Sequence, residues 1–141
     1  MTEKQMVMSQ YLNKVYYLNL RVDALLAEKQ ENLNIATKST ANYENDGTSS
    51  GSHNNSTEAL LCRIADQRKL IDDKISELVT LRQNISEQIG LIEEPYQTIL
   101  SLRYLSFKTM QEIADIMHYE KRTVQRKHKE ALDRMSLYVT P

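Results

Sequence analysis

TMQEIADIMHYEKRTVQRKHKEALDRM, Thr109 to Met135, is the stretch whose reading decides the fold. Ile113, Ala114, Ile116 and Met117 give a short helix one apolar stripe. The helical pattern lapses over His118, Tyr119 and Glu120. It resumes with Val124, Ala131, Leu132 and Met135, which fall at spacings of seven, eight and eleven on one face of a second helix. The opposite face carries Lys121, Arg122, Gln125, Arg126 and Lys129. From Lys121 to Lys129 there are five basic residues and no acidic one. The pattern predicts a helix-turn-helix.

A helix with a small apolar back and a basic, amide-bearing front suits the major groove of duplex DNA. Lys and Arg neutralise phosphates, and Arg and Gln form paired hydrogen bonds to base edges. The spacing therefore nominates Lys121, Arg122, Gln125, Arg126 and Lys129 as DNA-binding residues on a recognition helix of about 120–133. A blander reading competes with it. A basic helix face is usually a solvated face, and short helix-turn-helix patterns occur in bundles that never meet DNA.

Working outward, Thr109 and Glu112 stand three residues apart and predict a capping box at the start of the first short helix. Upstream, Pro95 suits the first turn of a further helix, and Glu93 and Glu94 favour its positive end. That helix is expected over Tyr96–Leu105, with Ile99, Leu100, Leu102 and Tyr104 or Leu105 inward. Phe107, the only phenylalanine, is expected to plug the three-helix core. His118 falls in the turn. His128 falls on the recognition helix, with packing or a phosphate hydrogen bond as its expected role.

Glu112-Ile113-Ala114, Thr123-Val124 and Ala131-Leu132, with the upstream Tyr96 to Leu105, resemble the DNA-binding region 4 of sigma-70-type factors. The ending VQRKHKEAL, after LRYL and EIA, is closer still to phage late-gene transcription regulators of the RinA and ArpU type. The resemblance covers Pro95 to about Met135, less than a third of the chain. It implies that the second helix enters the major groove with Lys121, Arg122, Gln125 and Arg126, and that Lys129 meets phosphate. Lys127 departs from the pattern, standing where relatives have an apolar residue. Either its stem covers the core while its amine reaches solvent, or the helix is rotated and Lys127 contacts DNA.

The N-terminal two thirds reads as long helices. Met8, Tyr11, Val15, Leu18, Val22 and Leu25 are spaced three and four apart, a seam on a helix from about Glu3 to about Asn34 that weakens at Lys29 and Asn32. Leu61, Ile64, Arg68, Ile71, Ile75, Leu78, Arg82, Ile85, Ile89 and Ile92 make the strongest periodic signal, with Arg68 and Arg82 as its polar exceptions. This helix is expected to begin at a Ser56 or Thr57 cap. Between the two, residues about 35–57 are rich in Ser, Thr, Asn and Gly and read as a flexible linker, with His53 solvated. Either a hairpin or a coiled coil follows. The expected fold is all-α: an N-terminal long-helix hairpin or coiled coil, residues 1–94, joined to a C-terminal three-helix, sigma-70 region-4-like helix-turn-helix domain, residues 95–141.

Net charge is −1 over 141 residues, but residues 96–141 hold eight Lys and Arg against five Asp and Glu. Residues 1–95 hold ten against fourteen, so one end suits DNA and the other something else. A lone cysteine, Cys62 in the apolar pattern LLCRI, fits a reducing cytoplasm and a packed position. No apolar run approaches the ~18 residues of a membrane span. MTEKQ lacks the apolar core of a signal peptide. There is no Gly-rich phosphate loop, HExxH or paired CxxC, so no enzyme, cofactor or metal is expected.

The expected function is a sequence-specific, phage- or prophage-encoded transcription regulator in the cytoplasm. Its expected partners are double-stranded DNA, a second copy through the N-terminal helices, and RNA polymerase as a further candidate. Two alternatives remain. One is a small-terminase-like DNA-packaging subunit, which would form larger rings. The other is a coiled-coil interaction module acting on a regulator, which a neutral or acidic front would have favoured.

Overall fold

The computed structural model describes residues 1–46 and 51–141, with side chains for 1–38 and 57–141. These residues are all-helical: α1 is Glu3–Asp46, α2 Gly51–Ile89, α3 Tyr96–Leu100, α4 Met110–Met117 and α5 Lys121–Met135. A π-helical turn, Ser101–Leu105, continues α3. Among the described residues no helix is long and apolar enough to cross a membrane.

The polar stretch expected as a linker is corrected on both flanks. α1 continues to Asp46 and α2 already begins at Gly51, ahead of the expected caps. Residues 47–50 lie outside the described residues, as does the His53 side chain. Extending a formed helix gains a hydrogen bond per residue fixed, and Ser, Thr and Asn give up less than ~1 kcal/mol each against Ala. Scarcity of apolar side chains therefore does not end a helix that is already running. α2 stops at Ile89, just before Gly90.

The chain forms two compact units, Met1–Asn19 with Leu78–Pro141, and Leu20–Glu77. The first does not divide at Pro95, where the sequence suggested a domain boundary. Its larger core takes Met8, Leu12 and Val15 from α1 and Ile85 and Ile89 from α2. It packs them with Ile92, Leu100, Tyr104, Ala131, Leu132, Met135 and Val139. A smaller cluster, Ile99, Ile113, Ala114 and Val124, joins α3, α4 and α5. At roughly 1.5–3 kcal/mol per fully buried large apolar side chain, the smaller cluster alone could not offset the entropy of ordering three helices. The long helices supply the rest.

Phe107 is not in that smaller core. It sits at φ 57 and packs, half-buried, against the larger cluster. Its ring meets Tyr16 edge-on at 5.4 Å and lies 5.9 Å from the Arg82 guanidinium, which donates to the Leu105 carbonyl at 2.9 Å. Ile116, expected in the apolar stripe of α4, is 51% exposed. Tyr11 donates to Gln88 at 2.7 Å, tying α1 to α2. The tail docks through Val139, which is buried, while Leu137 and Tyr138 face outward.

In the unit Leu20–Glu77, α1 covers Val22, Leu25, Lys29, Asn32 and Ala36, so the seam carries on through the polar positions. α2 covers Leu60, Ile64, Gln67, Ile71 and Lys74. Leu61, Arg68 and Ile75, expected in the seam, are exposed, and so is Cys62. Each of those three follows a covered position by one residue. The polar layer of the seam is Asn32 donating to Gln67 at 3.0 Å, and not an arginine.

Candidate nucleic-acid interface

The capping box forms as the spacing requires. Glu112 N–H donates to Thr109 Oγ1 and Thr109 N–H to Glu112 Oε1, each at 3.2 Å. Hydrogen bonding to the carboxylate from the Thr109 backbone N–H, and then from the Thr109 side chain, holds the Glu112 carboxyl below its ordinary range. α4 ends at His118, in the left-handed region at φ 58, with Tyr119 N–H donating to the Ala114 carbonyl at 2.9 Å. α3 is tied at its start by the Glu94 carboxylate, which accepts from Thr98 N–H and Oγ1–H.

α5 follows a turn of three residues, His118–Glu120. Its buried side is Val124, His128, Ala131, Leu132 and Met135. The five residues nominated from the sequence, Lys121, Arg122, Gln125, Arg126 and Lys129, are all exposed. Arg122, Gln125, Arg126 and Lys129 line one open groove with Glu120 and Thr123. The acidic groups of α5 are engaged elsewhere. Asp133 accepts from Gln5 of α1 at 2.9 Å, and Glu130 accepts from Tyr96 at 2.8 Å. Glu130 also stands 3.8 Å from Arg126, a solvent-exposed pair of small energetic weight. Among the described residues Lys121, Arg122 and Lys129 have no ion pair. The front of α5 keeps a net positive field.

Lys127 packs instead of facing outward with the others. Its ammonium lies 5.6 Å from the Tyr96 ring centroid and 5.7 Å from that of Tyr119. The aromatic faces attract the cation.

His128 is 3% exposed, and its Nε2 lies 2.6 Å from the Tyr104 hydroxyl. That hydroxyl is 2.9 Å from Ser9 Oγ of α1, which is half-buried, so three elements meet in one polar chain. Burial raises the Tyr104 hydroxyl and pushes His128 down to about 4, with Arg103 and Lys129 adding to the shift. The ordinary value for histidine is 6.5. As pH falls, the unfolded chain therefore takes up the proton first. This contribution to stability is full above about pH 6.5 and is lost as pH falls toward 4. Between pH 7 and 5 wild type should lose on the order of 2 kcal/mol more than His128→Gln. Urea unfolding at the two pH values checks this, and equal losses would contradict it.

Sequence reasoning missed two groups beside this face. A cleft lined by Ser9, Asn13, Arg103, Tyr104, Gln125 and Lys129, among others, sets Asn13 of α1 and Arg103 of the π-helical turn next to the nominated residues. Arg103 donates to the Lys108 carbonyl at 3.0 Å. No spacing rule linked Asn13 to α5, because their proximity depends on α1 docking against it. Among the described residues no group of His, Cys, Asp or Glu is placed to hold a metal ion. Comparison with family models, curated proteins and solved structures found no match.

Proposed function

We propose that the chain is a sequence-specific DNA-binding regulator of transcription, with α5 lying in the major groove. One observation carries the reading. The polar positions of α5 that would face a groove are all exposed and mainly cationic, while between them Val124 and His128 are buried and Thr123 and Lys127 half-buried. A groove about 12 Å wide admits an α-helix. In this reading Arg122, Gln125 and Arg126 address base edges and Lys121 and Lys129 address phosphates. α4, α5 and the turn between them form a helix-turn-helix of the sigma-70 region-4 kind, in a phage regulator resembling the RinA and ArpU type. The long helices join two copies, and RNA polymerase is a further partner.

Selection from a random duplex pool tests the proposal. A short motif should be enriched, and log affinity should fall with log salt at a slope of roughly −2 to −4 for two to four neutralised phosphates. A pool that stays random, with no salt dependence, would remove the reading.

A further inference from the structure

We propose that the unit Leu20–Glu77 pairs with a second copy of itself through one exposed strip of α2, Leu61, Ala65, Arg68, Asp72 and Ile75, with the two α2 helices antiparallel. This deepens the two-copy part of the function proposed above and does not depend on DNA binding.

The strip is a second helical face beside the covered seam. At 3.6 residues per turn its five residues fall within about 80° of arc. All five are exposed, and Leu61 and Ile75 are 54% and 38% exposed. α1 of the same unit leaves Leu26 and Leu33 uncovered at 43% and 37%, adding to the apolar surface. Arg68 and Asp72 form no ion pair among the described residues.

The order of residues identifies the occupant. A two-fold interface sets residue i against residue j and j against i. With the axis passing between residues 68 and 72 of antiparallel helices, Arg68 meets the partner's Asp72, and Asp72 meets the partner's Arg68. In the same register Ala65 meets the partner's Ile75, small against branched, and the reverse holds on the other side of the axis. A parallel pairing in register would set Arg68 on Arg68 and Asp72 on Asp72, which like-charge repulsion disfavours. The strip is thus complementary to its own reverse, which a surface for an unrelated protein has no need to be.

Single-cysteine chains test the geometry. In a Cys62→Ser background, Arg68→Cys and Asp72→Cys are made as separate full-length proteins and treated with a short bismaleimide, alone and mixed. The mixture should cross-link at least about tenfold faster than either chain alone, since only mixed pairs bring the two thiols together while one Arg68–Asp72 pair remains intact. Fast linking of either chain alone, or none in any sample, would overturn the proposal. As a second readout, Leu61→Glu with Ile75→Glu should give a monomer by light scattering with helical circular dichroism retained. A dimer unaffected by that double change would also overturn it. Neither experiment contains DNA, so failure of the DNA-binding reading would leave both results interpretable.

Discussion

Replacing Arg122 and Arg126 together by alanine is expected to weaken binding to the selected duplex by roughly 10²-fold or more, at ~1–3 kcal/mol per lost contact. Both side chains are exposed on α5. Arg126 has a single 3.8 Å ion pair with Glu130 to lose, so stability should change by less than about 0.5 kcal/mol. The double variant therefore separates binding from folding. Fluorescence anisotropy on labelled duplex reads the affinity, and a thermal melt confirms the fold. Each arginine that sits on phosphate should also lower the magnitude of the salt slope by about one. Unchanged affinity and slope would mean that α5 does not face DNA.

The second large effect concerns a residue far from the DNA-facing helix in sequence. Leu12→Ala should destabilise the unit that holds α3, α4 and α5 by about 2–5 kcal/mol, lowering Tm on the order of 10 °C. Leu12 lies in α1, fully buried in the cluster that contains Leu132 and Met135 of α5. A helix-turn-helix that folded alone from Pro95 onward would barely register the change. Urea and thermal unfolding followed by circular dichroism distinguish the two cases.

Local signals were the legible part of the sequence. The Thr109–Glu112 box, the turn at His118 and the alternation of buried and exposed positions on α5 depend on residues within a few turns of one another. The cationic face could be read for the same reason, since it is defined against its own helix. The illegible part was set by distant packing. Nothing near Met8 or Leu12 indicates that their neighbours are Leu132 and Met135. For His128, packing and a phosphate hydrogen bond were both open, and its partners Tyr104 and Ser9 lie too far off in sequence to decide between them. On α2, apolar residues occur both at the covered positions and one residue beyond them, as Leu60 and Leu61 illustrate. Periodicity therefore found a helix but mixed two faces. The missed face is the one that leaves Leu61, Arg68 and Ile75 exposed. Phe107 packs against the larger cluster, beside Tyr16 of α1 and Arg82 of α2, and sequence spacing carries no sign of those distant neighbours.

The most direct measurement of the central claim is amide chemical-shift mapping of the isotope-labelled protein as the selected duplex is added. The account predicts the largest shifts at Lys121, Arg122, Gln125, Arg126 and Lys129, with small ones on the rest of the chain. Shifts concentrated on α1 or α2, with α5 unmoved, would contradict it.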